Sequence, residues 1–274
     1  MYDDFVAFNK IPQKESTLTI HERRQSLSEL LRKQPGLRVP ELAKALGISE
    51  GTVRNDLNAL EKQGRLTRVH GGAVLNEQPP FPSSSFNTRF HNDAAAKMSI
   101  ARQAATLVND GDSIFLDAST TVYYLARQLS ERNRLRVVTN GIDVARLIAA
   151  NPTNMVILLG GTVGADGSSV TGLLSEQALA ELHLQKAFLS CSGFSVRRGM
   201  TDVHLAGAHL KRRAIASTRE VFALVDASKI GKDDLTPFAG KEQITHLYTD
   251  SCLSDEWAVH LKAAGVAFTI CSDD

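Results

Sequence analysis

VPELAKALGISEGTVRNDLNALEKQGRLTRVHGGA, residues 39–73, reads as two helices joined by a tight turn and followed by a basic hairpin. Pro40 opens the first helix, where a missing N–H costs nothing, and Leu42, Ala43 and Leu46 recur at helical spacing. Gly47 ends that helix and supplies the turn. Ser49 is placed to cap the second helix, in which Val53, Leu57 and Leu60 fall at i, i+4 and i+7 on one face. The opposite face is left to a partner. It carries Gly51, Thr52, Arg54, Asn55 and Asn58, which combine close approach, a guanidinium fork and two amides suited to base edges or phosphates. This is the pattern of a helix-turn-helix with a wing, and Arg65, Arg68 and His70 make the wing basic. These three, with Ser49 and the five helix residues, form the expected double-stranded DNA contact set.

Charge points the same way. Residues 18–75 hold ten Lys and Arg against six Asp and Glu, a surplus of four in a chain of net charge +1, so the rest is net acidic. Positive surface is thus concentrated where a polyanion docks. A plain helical bundle with a solvated charged face is the alternative; the turn and the exposed Arg54 and Asn55 argue against it.

Segment 21–75 resembles the DNA-binding domain of the DeoR family of bacterial sugar-metabolism repressors, whose signature is similar to S-x-x-T-[IV]-R-R-D-L-x-x-L-x-x-x-G-x-[LI]-x-R-x-H-G-G-A. Ser49, Thr52, Val53, Arg54, Asp56, Leu57, Leu60, Gly64, Leu66, Arg68, His70, Gly71, Gly72 and Ala73 match it. Asn55 departs, standing where the family usually has a second arginine, which points to a different operator.

A chain of 274 residues, 43% hydrophobic and 22% charged, has room for about two domains of ordinary globular balance. No apolar run is long enough for a membrane span, and the polar start MYDDFVAFNK is unlike a secretory signal, so a cytoplasmic protein is expected. Cys191, Cys252 and Cys271 lack metal-binding spacing and fit free thiols. His204 and His209 stand five apart, which does not make a helical metal pair, and no motif asks for a cofactor or a catalytic group. Residues 1–17 show no period and are expected as a tail, 18–75 as the winged helix-turn-helix, and 76–92, rich in proline and serine, as a linker whose later half, with Ser85, Phe86 and Arg89 before Lys97, Ile100 and Ala101, also resembles the family pattern and is expected to pack on the second domain. Residues 93–274 are expected as the sensing and oligomerising domain.

In that last segment seven short apolar runs alternate with helix-length amphipathic stretches, which argues a parallel α/β sheet with strands buried on both faces. The runs are 113–116, 135–138, 155–159, 187–190, 221–225, 246–248 and 266–270, and ligands of such sheets bind beyond the carboxyl ends of the strands. The sharpest loop is DASTT, residues 117–121, where hydroxyls and the N–H groups of a helix start suit a phosphate. A plain N-cap is the bland reading of the same residues. Lys229 is positioned by sequence to neutralise an anion, Asp117, Asn140 and Asp226 to accept from sugar hydroxyls, and Gly160 to let backbone approach.

Residues 85–270 resemble the effector domain of the same family, similar in fold to ribose-5-phosphate isomerase and CoA-transferase domains, through DGDSIFLDASTT, VVTNGIDVA, LLGGTV and DASKIG. The resemblance implies a pocket for a phosphorylated sugar, contacted by Asp117, Ser119, Thr120, Thr121, Asn140, Gly160 and Lys229. Several positions depart. The family pattern D-x-G-[ST]-T keeps a glycine that this loop, with Ala118, lacks, which removes freedom at positive φ. Ala206 and Gly207 stand where acidic residues are usual, and Ser190 and Cys191 where Gly and Ala are. The resulting expectation is a sequence-specific regulator, a repressor of a carbohydrate-metabolism operon, acting as a homodimer or higher homo-oligomer on operator DNA under control of the metabolite. Two rivals remain: an isomerase of sugar phosphates and an effector-blind DNA packer.

Overall fold

The computed structural model describes residues 20–34, 36–62, 66–69, 72–75 and 86–272. The chain divides into two compact units, Met1–Pro82 and Ser83–Asp274.

In the first unit α1 (Ile20–Lys33), α2 (Val39–Leu46) and α3 (Glu50–Lys62) are followed by strands β1 (Leu66–Val69) and β2 (Gly72–Leu75). Pro40 lies in the first turn of α2, and Gly47 ends it at φ 65°, a left-handed conformation that favours glycine, with its N–H on the carbonyl of Ala43. Leu27, Leu31, Leu42, Val53, Leu57, Leu60, Leu66 and Ala73 form the core. β1 and β2 pair antiparallel, Arg68 opposite Ala73. Gly72 fits under the chain because any Cβ there would stand 2.5 Å from the carbonyl oxygen of Leu37.

The second unit runs α4 (Phe86–His91), α5 (Ala94–Ala105), β3 (Ser113–Leu116), α6 (Thr120–Leu129), β4 (Arg136–Thr139), α7 (Ile142–Ala149) and β5 (Met155–Leu158). It continues with β6 (Thr162–Val163), β7 (Val170–Thr171), α8 (Leu173–Ala180), β8 (Leu184–Leu189), β9 (Gly193–Ser195), β10 (Gly199–Asp202) and α9 (Leu205–Ala216). The chain closes with β11 (Thr218–Leu224), β12 (Thr236–Ala239), β13 (His246–Asp250), α10 (Asp255–Ala263) and β14 (Phe268–Cys271). The expected seven runs become one seven-stranded sheet in the order β14-β13-β11-β8-β3-β4-β5, every neighbouring pair parallel.

Alternate residues of the central strands feed two cores. Phe115, Val138, Ala187, Leu189 and Ala223 share one with Leu179 of α8 and Leu210 of α9. Ile114, Leu116, Val137, Phe188 and Phe222 share the other with residues of α5, α6 and α7. That is the two-faced burial expected of apolar runs without alternation. β5 departs from it: as an edge strand it leaves Met155, Ile157 and Leu158 exposed. Among the described residues no helix is long and apolar enough to cross a membrane.

Of the stretch expected as a linker, residues 76–85 lie outside the described residues, as do residues 1–17. Residues 86–91 form α4, whose Phe86 meets Tyr123 edge-on at 5.8 Å and whose Phe90 stacks on Tyr124 at 4.8 Å. Two phenylalanines four apart mark a helix face, a signal that the prolines before them obscured.

Candidate functional site

On the first unit the site is one face of α3. Ser49 accepts the N–H of Thr52 at 3.1 Å and so caps the helix, and its hydroxyl also meets that of Thr52 at 2.8 Å. Gly51, Arg54, Asn55 and Asn58 are exposed and Thr52 is half-buried. Arg54 reaches back one turn to Glu50 at 2.6 Å, with both side chains largely in water. Such a pair costs little to break when a phosphate or base competes. Arg68 of β1 donates from Nη1 to Asn58 at 2.7 Å, and its backbone N–H donates to Glu61 at 2.9 Å, so it fastens the hairpin to α3. Arg65 and His70 lie outside the described residues.

Asp56, which the sequence marked as a signature match with no assigned partner, is buried and holds two arginines of α1: Arg23 Nε at 2.5 Å and Arg24 Nε at 2.9 Å. Burial alone would raise its pKa, but the two guanidinium groups outweigh that and hold it below the ordinary carboxylate value. Its position, three residues after Val53 and next to Leu57 on the apolar face, was the available signal.

In the second unit the parallel strands deliver Asp117, Asn140 and Ser190 at the same end of the sheet. A cavity of about 300 Å³ opens there, lined by Arg89, Ala118, Ser119, Asn140, the loop 164–169, Thr171, Asp202, His204, Ala206, Gly207 and Lys211. The volume falls at the low end of small-molecule sites, roughly 300–1,000 Å³. α6 and α9 both begin at this lining. Ser119 caps α6 by accepting the N–H of Val122 at 3.3 Å, whereas no side chain caps α9. The first turn of α9, Ala206 and Gly207, therefore presents backbone N–H groups and the positive end of a helix to the cavity.

Of the residues singled out in the sequence, Ser119 and Asn140 line the cavity. Asn140 is oriented by donating to the carbonyl of Val170 at 3.1 Å. Asp117 lies beneath the lining and joins loops: its carboxylate accepts Ser119 N–H at 2.8 Å and Ser190 N–H at 2.9 Å. Thr120 and Thr121 are buried behind Ser119 in the first turn of α6, Thr121 Oγ1 without a hydrogen-bond partner. Gly160 accepts from Ser175 at 2.5 Å, away from the lining. Lys229 pairs with Asp226 at 2.9 Å and stands 3.4 Å from the Ser190 hydroxyl, also outside it. The three hydroxyls of DASTT do not converge, because a helix turns them to different sides. Neither Ala118 nor Ser119, which stands third in the motif, takes a positive φ, so the loop closes without the glycine of the family pattern.

The sequence reading missed the charges that do line the cavity. Lys211 Nζ stands 2.7 Å from Asp202 and 3.4 Å from Asp117 and donates to the Ser190 carbonyl at 2.7 Å. Burial would lower its pKa, but the two carboxylates outweigh that and keep it protonated. Asp202 is held below the usual carboxylate range, Lys211 overcoming the opposite effect of burial. Arg89 lies 3.4 Å from Asp166. Cys191 is buried, which pushes its thiol up to about 12 and leaves it without thiolate character.

Residues 23–79 match the DeoR-like helix-turn-helix domain and residues 92–251 the DeoR C terminal sensor domain. The chain is 35% identical over 250 residues to the HTH-type transcriptional regulator GolR of Listeria innocua, a match covering 91% of this chain and 98% of that one. It is 35% identical over 237 residues to the lactose phosphotransferase system repressor of Streptococcus mutans, covering 86% and 93%. Among solved structures, ribose 5-phosphate isomerase A of Methanocaldococcus jannaschii aligns at 18% identity with a TM-score of 0.37, over 51% of this chain and 55% of that one.

Proposed function

Since the chain belongs to the DeoR family of transcriptional regulators, we propose that it represses a carbohydrate-metabolism operon by gripping operator DNA, and that a phosphorylated sugar in the cavity controls the grip. The observation that carries the effector half is the uncapped start of α9 facing the same cavity as Ser119, Asn140 and Arg89: fixed donors for an anion beside groups suited to hydroxyls.

DNA contact falls to Ser49, Gly51, Thr52, Arg54, Asn55 and Asn58 of the α3 region, with Arg65, Arg68 and His70 from the wing. Arg54 is the side chain for base edges, and Arg68 meets phosphate. Two half-sites on the operator require a homodimer at least. In the cavity Ser119 and Asn140 meet the effector, while Asp117, Thr120, Thr121, Gly160 and Lys229 support the loops that carry those contacts. The effector acts by preferring one arrangement of the recognition helices. A differential affinity of about 1 to 3 kcal/mol changes operator binding roughly 5- to 150-fold.

The isomerase reading is weaker because it needs a free base, and the two carboxylates that the sequence places after strands are both engaged, Asp117 with two N–H groups and Asp226 with Lys229. The test is to select the preferred DNA from a random pool and then measure its binding with glucose 6-phosphate, galactose 6-phosphate, ribose 5-phosphate and the free sugars. One selected sequence and a response to a phosphorylated sugar alone is the expected result. Equal binding of all DNA with no response, or interconversion of the sugar phosphates, overturns it.

A further inference from the structure

Helix α4 is the first described element after the segment that leads from the DNA-binding unit, and it is held at two places. On its cavity side, Asp166 in the cavity-lining loop faces the guanidinium of Arg89 at 3.4 Å. At its end, the buried Lys97 donates to the carbonyl of Arg89 at 2.5 Å and to that of Asn92. One side of α4 rests on Tyr123 and Tyr124 of α6, the helix whose capping Ser119 lies in the cavity.

The two grips differ in how easily they let go. Lys97 is almost wholly buried and bound to backbone oxygens that cannot move without unwinding the helix end. Asp166 is itself fastened, accepting both the hydroxyl (2.7 Å) and the N–H (3.1 Å) of Ser168. The Arg89–Asp166 contact is the loose one: the distance is long, and the side chains are 40% and 24% exposed. Arg89 lines the cavity, so its guanidinium lies within reach of whatever enters. A phosphate offers it a bidentate, doubly charged partner, stronger than a single carboxylate oxygen at that range.

We propose that Arg89 and Asp166 form a clasp that passes occupancy of the cavity to the segment leading to the DNA-binding unit: an anionic group in the cavity takes Arg89 from Asp166, and α4 shifts with it. This rests on the reading of the cavity as a sugar-phosphate site. It gives Arg89 two roles at once, since the residue binds the effector and belongs to the element that must move. Lys97 is the pivot, the fixed end about which α4 turns.

Backbone hydrogen exchange of residues 86–92 in the full-length protein tests the clasp. Asp166→Asn weakens the grip without any ligand, so exchange there rises about fivefold, the result of losing roughly one weak hydrogen bond. In the wild type, whichever of glucose 6-phosphate, galactose 6-phosphate or ribose 5-phosphate raises the melting temperature also changes exchange at 86–92. Arg89→Gln, a change at a partly exposed side chain, abolishes that response while the selected DNA is still bound. Unchanged exchange in Asp166→Asn overturns the proposal, as does Arg89→Gln responding like wild type. If none of the three compounds raises the melting temperature, the effector reading falls, and the ligand-free Asp166→Asn comparison still judges the clasp.

Discussion

On α3 the charged pair Glu50 and Arg54 stands in water, 43% and 55% exposed, whereas in the sheet domain Asp117 and Lys211 are 1% and 13% exposed. The same chemistry therefore has opposite uses. A surface ion pair is worth little and yields to a competitor, which leaves Arg54 available to DNA. A buried one resists competition because separating it strands a charge away from water. The buried charges behind and along the cavity are scaffold, and under the proposed reading recognition there falls to Arg89, the Ser119 hydroxyl and the uncapped amides of α9.

The strongest challenge to that contrast is Asp117→Ala. It strips an acceptor from two backbone N–H groups and leaves Lys211 with Asp202 as its one carboxylate, so the sheet domain should lose about 3 to 5 kcal/mol in urea unfolding. A loss below 1 kcal/mol would mean that the wall is no more committed than the surface. Next comes Asp56→Ala in the first unit, where two partly exposed arginines lose their partner; about 2 kcal/mol of that unit's stability should go while the sheet domain melts unchanged. Because the folded pKa of Asp56 is depressed, its stabilisation is present above the unfolded value of 3.8 and disappears as pH falls through the folded value. Acid titration should therefore unfold the wild-type first unit more steeply than Asp56→Asn, and equal slopes would remove Asp56 from the account.

Arg54→Ala sharpens the exposed side of the comparison. Binding to the selected DNA should weaken by about 1 to 3 kcal/mol, with thermal stability hardly altered. Unchanged affinity would take base reading away from α3. The smallest effect is expected from Arg68→Ala, whose guanidinium is shared with Asn58: all DNA sequences weaken alike and the salt slope drops by about one unit.

The two sites also differed in how far they could be read before any coordinates. Helix starts, turn and buried face of α2 and α3 follow from Pro40, Gly47, Ser49 and the spacing of Val53, Leu57 and Leu60, because every determinant lies within one or two helical turns. The seven strands were equally legible as apolar runs. The cavity was not, since its wall joins Arg89, Asp166, Asp202 and Lys211 from elements far apart in the chain, and no local period marks a residue whose partner lies across a sheet. DASTT looked like the anion site because hydroxyls at a helix start suit one. Only the rotation of α6 shows that Thr120 and Thr121 turn inward, so that of the three hydroxyls the cavity receives that of Ser119.

The sheet order has a consequence for how the chain is made. β8 lies between β3 and β11, so β3, β4 and β5 leave the ribosome as a three-stranded fragment whose inner edge stays bare until Leu189 has been synthesised. At about 5 to 20 residues per second that interval lasts several seconds, with the apolar Ile114, Phe115 and Leu116 lying along the open edge. Slow decoding between codons 158 and 189 would prolong this open-edged stage, after the residues of the DNA-binding unit have already been made.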